Sequence, residues 1–145
     1  CTSYDNNIWV FDEQESKLKK IAEDGRVLME TTDLRQALDD VPVPVALFDQ
    51  DGSVYAYDPL RGMYVFDYYG TFKGKQPLMQ WKDVQVIGKT VVGRTDGKFV
   101  THESGSLDIK ESILPPSLRD AERIRLMRQG MYVLEKDGVR LYALQ

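Results

Sequence analysis

Few side chains in this chain of 145 residues have the types and spacing that metal binding requires. The single histidine, His102, has no second histidine or cysteine nearby with which to form a zinc site. The acids of 49–53 are spaced like the start of a calcium loop, but Leu60 stands where that loop needs its bidentate glutamate. We therefore predict no metal site, with His102 exposed in a strand or turn and 49–53 in a hairpin.

Catalytic sets are also incomplete. A Ser-His-Asp set would have to use His102, and the chain has no Gly-x-Ser-x-Gly sequence. The string Gly70–Lys75 lacks the glycine spacing of a P-loop, and Pro77 follows where a helix should begin. Close acid pairs such as Asp39 and Asp40 could serve glycoside hydrolysis, but 23 acids produce such pairs by chance. We predict no catalytic residue and no cofactor, which favours a protein that is not an enzyme.

Cys1 is the only cysteine, so a disulfide within the chain is excluded. It has three interpretations: the lipid-modified first residue of a bacterial lipoprotein, an N-terminal nucleophile, or the place where a longer chain was cut. A lipoprotein normally has a flexible tether after its cysteine, whereas turn and strand residues follow here at once. That order favours the cut chain over lipidation. The nucleophile is the least favoured interpretation, because nothing else in the chain resembles a catalytic partner set.

One stretch combines aromatic and cationic residues in the way a binding surface does. It contains Arg61, Tyr68, Tyr69, Phe72, Lys73, Lys75, Trp81 and Lys82. Exposed aromatic rings with polar neighbours suit a carbohydrate or protein partner. The alternative is packing in the core, since Tyr68 and Tyr69 point to opposite faces if a strand continues through them. The candidate partner-binding residues are Arg61, Tyr68, Tyr69 and Trp81.

Composition and charge exclude several classes of function. The net charge of −4 argues against a non-specific nucleic-acid binder, which would be basic. No apolar run approaches the roughly 20 residues of a membrane span, and no signal-peptide segment is visible. Apolar residues make up 42% and charged residues 29%, which is ordinary for a globular protein of one domain.

The elements that must position these residues are β-strands. The segment Ile8–Asp12 recurs in type at Val54–Asp58, Met63–Asp67 and Met131–Glu135, each copy apolar on both faces of a strand and closed by an acid. A strand buried on both faces indicates stacked sheets. We expect the closing acids to accept hydrogen bonds from the turn backbone that follows them.

Turn residues separate the strands. Asp-Gly occurs at Asp24-Gly25, Asp51-Gly52, Asp96-Gly97 and Asp137-Gly138. This pair suits the two-residue type I′ hairpin, in which both central residues have positive φ, and it predicts antiparallel pairing. The predicted strands are 8–11, 18–22, 26–29, 45–48, 53–57, 63–68, 71–78, 84–87, 90–94, 99–102, 107–113, 124–127, 131–134 and 139–143.

These strands group in fours with a repeat of roughly 40–50 residues. The repeat units are about 1–40, 41–81, 82–117 and 118–145, within a single domain 1–145. Thr32–Asp40 should form one or two helical turns capped by Thr32 or Asp33, and 114–121 at most one. The sequence thus predicts an all-β fold of consecutive four-stranded antiparallel meander sheets with minor helical turns between them.

At this point the chain resembles a β-propeller of the six-bladed or NHL-like bacterial type. The resemblance rests on Asp5–Asp12 and Asp51–Asp58, in which an Asp-containing turn leads into an aliphatic–aromatic strand that ends in Asp. The count reaches about three and a half blades, which implies the C-terminal part of a larger propeller. A four-bladed ring, a two-chain ring and an unclosed stack are alternatives, and open sheet edges could pair between chains.

The resemblance implies architecture more than activity, because propellers carry many functions. We expect a non-enzymatic binding or scaffold module that presents loops to a protein or carbohydrate partner. One alternative is the C-terminal part of a propeller hydrolase or lyase with its catalytic residues elsewhere. Another is a lipid-anchored envelope protein. The resemblance also implies a periplasmic or extracellular-facing bacterial location.

Overall fold

The structure describes residues 1–143, which contain fourteen β-strands, one short α-helix and one 3-10 turn. The structure is a computed structural model. The strands are β1 Ile8–Asp12, β2 Lys17–Ile21, β3 Val27–Glu30, β4 Ala46–Gln50, β5 Ser53–Asp58, β6 Gly62–Asp67, β7 Phe72–Gln76, β8 Lys82–Ile87, β9 Thr90–Thr95, β10 Lys98–Glu103, β11 Ile109–Ile113, β12 Arg123–Met127, β13 Gly130–Glu135 and β14 Gly138–Ala143.

The strands form four antiparallel sheets in which every strand pairs with its neighbour along the chain. The sheets contain β1–β3, β4–β7, β8–β11 and β12–β14. The all-β meander fold predicted from the sequence is therefore confirmed. Predicted and observed strands differ at their ends, most clearly at β7 and β11, which are shorter than the segments 71–78 and 107–113.

The chain divides into two compact units, the first of residues 1–80 and the second beginning at Trp81. The core of the first unit lies between its two sheets and contains Trp9, Leu18, Leu34, Val54, Ala56, Tyr64 and Phe66. The core of the second unit contains Leu114, Leu118, Ala121, Ile124 and Val133. Both cores draw on the inward-facing residues of strands that the sequence repeat identifies.

The first sheet has a rudimentary fourth strand. Thr2 forms an antiparallel bridge with Ile8. The Trp9 N–H donates to the Cys1 carbonyl at 2.8 Å, and the Ser3 N–H donates to the Asn7 carbonyl at 2.8 Å. The first three residues therefore lie beside β1. This is the position that the first strand occupies in the β4–β7 and β8–β11 sheets.

The prediction of four type I′ turns is right at one place. Asp51 and Gly52 have φ values of 49° and 80° and form the two-residue loop between β4 and β5. In the pair Asp96-Gly97 only Gly97 has a positive φ, of 75°. An aspartate at the first turn position is compatible with negative φ, so the dipeptide alone does not fix the turn type.

The other two Asp-Gly pairs sit differently in their hairpins. Glu135 pairs with Gly138, so the loop is 136–137 and Gly138 already belongs to β14. The Ala22 N–H donates to the Arg26 carbonyl at 2.8 Å, which encloses the three-residue loop 23–25. Hairpin formation was predicted correctly, but loop length and turn type were wrong at these places.

The acids that close the repeated strands accept hydrogen bonds from turn backbone in three of the four cases. Asp12 accepts from the N–H groups of Gln14 and Glu15, each at 3.0 Å. Asp58 accepts from the N–H of Leu60 at 2.8 Å, and Asp67 from those of Tyr69 and Thr71, each at 2.9 Å. These side chains replace strand pairing at the point where each strand ends.

The fourth closing acid behaves differently, because Glu135 has a longer side chain. Its carboxylate pairs with the Arg140 guanidinium at 2.9 Å across the hairpin.

Two short helical segments connect the sheets, as predicted. Helix α1, Leu34–Ala37, begins after Asp33, whose carboxylate accepts from the Arg35 N–H at 3.0 Å. The second segment is a 3-10 turn, Pro116–Leu118. Each buries one leucine, Leu34 in the first core and Leu118 in the second.

Candidate functional site

The first unit carries a stack of aromatic rings at its surface. Tyr68 directly follows β6, and its ring stacks on Tyr4 with centroids 5.4 Å apart and planes inclined by 14°. The Trp9 ring lies 6.2 Å from Tyr68 at a tilt of 31°. Trp9 is fully buried whereas Tyr4 is 76% exposed, so the stack runs from the core to the surface.

One lysine lies beside all three rings. The Lys20 ammonium is 5.4 Å from the ring centres of Trp9 and Tyr68 and 5.6 Å from that of Tyr4. It pairs with the Asp5 carboxylate at 2.6 Å, and this contact holds the pKa of Asp5 well below its usual range. The ring faces attract the ammonium, so Lys20 fastens the stack to β2.

Asp49 orients two of the rings. It lies in β4, and its carboxylate accepts hydrogen bonds from the Trp9 indole N–H at 3.0 Å and from the Tyr68 hydroxyl. Burial and this bond to a carboxylate both raise the pKa of Tyr68. Tyr68 therefore stays a hydrogen-bond donor at neutral pH, and its ring is held in one orientation.

An open groove of about 630 Å³ lies beside the stack. We call it the aromatic groove; it is lined by Thr2, Ser3, Tyr4, Asp49, Gln50, Asp51, Gly52 and Tyr68. Tyr4 and Tyr68 supply aromatic surface, while 49–51 supply carboxylate and amide oxygens. The type I′ turn at Asp51 and Gly52 brings these polar groups next to the rings.

The structure places the other predicted site residues outside this groove. Tyr69 is 87% exposed on the β6–β7 turn. Arg61 binds Asp58 at 3.0 Å and Asp40 at 2.8 Å, so its guanidinium already serves the first unit's own structure. Of the four predicted residues, the groove contains Tyr68 alone.

Trp81 differs from the expectation of an exposed aromatic residue. It belongs to the second unit and is only 7% exposed. Its ring packs on Gly93, where a Cβ atom would lie 3.1 Å from the ring carbon Cε3. The absence of a side chain at Gly93 makes room for this ring, which gives Trp81 a packing role.

Tyr4, Lys20 and Asp49 were not among the site residues predicted from the sequence. Each is distant in sequence from Tyr68, and sequence spacing does not show that antiparallel pairing brings them together. The available signal was the alternation of β1 and β2: Trp9 pairs with Lys20, which puts both side chains on one face of the first sheet.

The second unit contains a different cavity, of about 260 Å³, between its two sheets. It is lined mainly by apolar residues of β9, β10, β12 and β13. At its polar end the buried Arg94 guanidinium pairs with Asp83 and donates to the Glu122 carbonyl at 3.0 Å. Its polar groups thus already bind one another, so this cavity has the character of a core gap.

His102 lies in β10, and the expectation that it is exposed was wrong. It is buried, and its Nε2 lies 3.0 Å from the Ser106 carbonyl. Within residues 1–143 no group of three potential ligands is placed to hold a metal ion. In the same residues, no helix has the length and apolar character needed to cross a membrane.

The chain matches no protein-family model, and it matches no curated protein at a significant level.

Proposed function

We propose that this chain is a non-enzymatic binding module of the β-propeller type, and that its aromatic groove holds a carbohydrate. The observation that carries the proposal is the exposed Tyr4 ring, stacked on Tyr68 beside the polar groups of 49–51. Because the chain resembles bacterial β-propellers, we also propose that the module lies in the periplasm or on the outer side of a bacterial envelope.

The order and size of the sheets support the propeller part of the proposal. Four consecutive antiparallel meanders of three or four strands follow one another along the chain. Their equivalent strands begin at Ile8, Ser53, Thr90 and Gly130, a period of roughly 40 residues like that of a propeller blade. Radial repetition of such sheets is one of the ways in which β proteins protect their strand edges.

The chemistry of the groove supports the carbohydrate part. A pyranose ring offers C–H groups on its face and hydroxyl groups around its rim. An aromatic ring that is already held rigidly can pack against this C–H face with little loss of conformational entropy. Carboxylate and amide oxygens beside that ring can accept hydrogen bonds from the hydroxyls. Asp51 and Gln50 provide such acceptors in the groove.

Oligosaccharide binding tests the proposal directly. An array of neutral glycans, containing β-linked and α-linked oligomers of glucose and of N-acetylglucosamine, should identify a bound class. Isothermal titration with the best glycan then compares variants. We expect Tyr4→Ala to weaken binding by about tenfold, the effect of losing one stacking contact, and Tyr4→Phe to retain it.

Leu60→Ala is the matched control, because Leu60 is exposed on another turn of the first unit and does not line the groove. Asp51→Asn removes one carboxylate while an asparagine still tolerates the positive φ of 49°. If no glycan binds, or if Tyr4→Ala and Leu60→Ala bind the same glycan equally well, the groove is not a carbohydrate site.

A further inference from the structure

The last sheet has an apolar face that other residues of 1–143 leave largely exposed. In β13 and β14, Tyr132 pairs with Leu141 and Leu134 pairs with Val139, so these four side chains share one face. Val139 is 64% and Leu141 55% exposed. Such a patch of adjacent apolar side chains is typical of an interaction surface. We call it the β14 face.

Two arginines border this face. Arg125 pairs with Tyr132 and Arg123 with Leu134, so both lie on the same side of the sheet as the exposed apolar residues. Both are exposed, and neither forms an ion pair with another residue of 1–143. The β14 face is therefore apolar at its centre and cationic at one border.

The opposite face of the same sheet shows how such a surface is covered. Ile124 and Val133 belong to the core of the second unit. The side chain of Gln85 in β8 accepts from the Leu126 N–H at 2.7 Å and donates to the Leu126 carbonyl at 3.1 Å. The β8–β11 sheet thus covers its neighbour by apolar packing and by side chains that bind the free edge of β12.

In the sequence repeat, the β14 face corresponds to the faces of earlier sheets that the next sheet covers. Counted from the two-residue loop that follows each strand, Arg125 in β12 corresponds to Gln85 in β8. Likewise Tyr132 and Leu134 correspond to Trp9 and Phe11, which in the first unit pack towards the next sheet. The β14 face is therefore the side of a repeat that another sheet covers.

The first sheet has a face that corresponds to the other side of such a contact, the side that packs against the preceding sheet. Ile8 and Val10 lie on the face of β1 that points away from Trp9, and they correspond in the repeat to Met131 and Val133. Ile8 is exposed and pairs with Ile21, which pairs with the exposed Val27. We call this apolar surface the β1 face.

Charge makes the two faces complementary. Lys19 pairs with Val10 and Lys17 with Asp12, so the β1 face has a charged border on the sheet itself. There the carboxylates of Asp12, Glu15 and Glu30 surround the two ammonium groups. Three acids against two bases leave this border acidic, whereas the β14 face presents two unpaired arginines. An arginine can only donate hydrogen bonds, so a border rich in carboxylates suits it.

We infer that two copies of this chain associate head to tail, with the β14 face of one copy on the β1 face of the other. The contact is heterologous, because each copy uses a different face, and it repeats the way in which sheets cover one another within each unit. It differs from pairing of open strand edges, because side chains of two faces carry it.

Solution mass tests this inference. Light scattering across a concentration series should show the wild-type mass rising above that of one chain. Leu141→Asp on the β14 face and Ile8→Asp on the β1 face should each weaken association by at least about tenfold, since a buried apolar contact becomes a buried charge. Leu107→Asp, at an exposed loop residue, is the control and should associate like wild type.

Mixing the two variants distinguishes this contact from every symmetric one. The Leu141→Asp chain keeps its β1 face and the Ile8→Asp chain keeps its β14 face, so an equimolar mixture should form a dimer although neither variant does alone. Circular dichroism establishes that each variant is folded. If Leu141→Asp does not fold, Arg125→Glu replaces it, because this change alters only an exposed side chain.

Three results would overturn the inference. One is a wild-type chain that stays monomeric at its highest soluble concentration. Another is association that Leu141→Asp and Ile8→Asp leave unchanged, which would point to strand edges. The third is a mixture of the two variants that remains monomeric.

Discussion

The two units use charged side chains in different ways. In the first unit, Lys20 and Asp5 lie beside aromatic rings at the rim of an open groove. In the second unit, Arg94 and Asp83 lie between two sheets, with side chains 8% and 12% exposed. One repeat pattern can therefore hold charged pairs at the rim of an open groove or use them to join two sheets.

The difference has an energetic consequence. An ion pair at the surface contributes little to stability, because water competes for both groups. A buried pair is different: removing one partner leaves the other charge without compensation. We therefore expect substitutions at the buried pair to change folding much more than substitutions around the groove.

The largest effect should come from Asp83→Asn. Asparagine tolerates the φ of 54° at this position but removes the charge that faces the Arg94 guanidinium. We expect the free energy of unfolding to fall by about 3 kcal/mol, measured by urea denaturation. The control is Asp96→Asn, which breaks an exposed pair with Lys82 at 3.6 Å and should cost less than about 0.5 kcal/mol. Equal losses would show that the buried pair has no special role.

Asp58→Asn tests whether the first unit also depends on a buried charge. Asp58 is 2% exposed and accepts from the N–H groups of Val43, Leu60 and Arg61 and from the Arg61 guanidinium. Asparagine places an NH₂ group where one of these donors points, so we expect a loss of about 2 kcal/mol in urea denaturation.

Asp67, whose side chain is 25% exposed, is the matched comparison, since it closes the next strand in the same way. Asp67→Asn should lower the free energy of unfolding by clearly less than Asp58→Asn, because water can replace its hydrogen bonds. A loss as large as that of Asp58→Asn would mean that burial does not determine how much these turns contribute to the free energy of unfolding.

Acid should weaken the first unit through Asp58. Burial raises the pKa of Asp58, but the hydrogen bonds that it accepts from Val43, Leu60 and Arg61 outweigh burial, so its pKa lies below the usual value. A lowered folded-state pKa contributes stability that is present above the unfolded pKa, about 4, and is lost as the pH falls below it. Urea denaturation from pH 7 to pH 3 should show this loss, and Asp58→Asn should flatten the dependence. An unchanged slope in the variant would assign the acid sensitivity to other carboxylates.

The smallest effect should come from the groove. Tyr4 is mostly exposed and rests on Tyr68, so Tyr4→Ala should lower the free energy of unfolding by no more than about 1 kcal/mol. Tyr69→Ala, at a still more exposed tyrosine, should have no measurable effect. A loss for Tyr4→Ala as large as that for Asp83→Asn would make the ring stack part of the fold and not a presented surface.

The strands were predictable because each carries its own signal. In Val54–Asp58 the alternation of apolar and aromatic residues, and the turn residues Asp51 and Gly52 before it, agree on one structure. The closing acids were also predictable, because an aspartate binds backbone N–H groups only two to four residues ahead.

The site was harder to predict, because it depends on contacts between distant residues. Nothing near Tyr4 in the sequence shows that its ring meets Tyr68. Nothing near Trp81 shows that a glycine in β9 leaves space for its ring. Exposure follows from how faces pack on one another, and local patterns report only which residues share a face.

The side chains that β8 extends over the free edge of β12 also affect hydrogen exchange. The N–H groups of Ile124 and Leu126 point away from β13, and amides on such an edge normally exchange rapidly with solvent. Here Asp83 accepts from Ile124 at 3.0 Å and Gln85 from Leu126 at 2.7 Å. These two amides therefore exchange only when the two sheets of the second unit separate, which makes them local probes of sheet opening and not of strand unzipping.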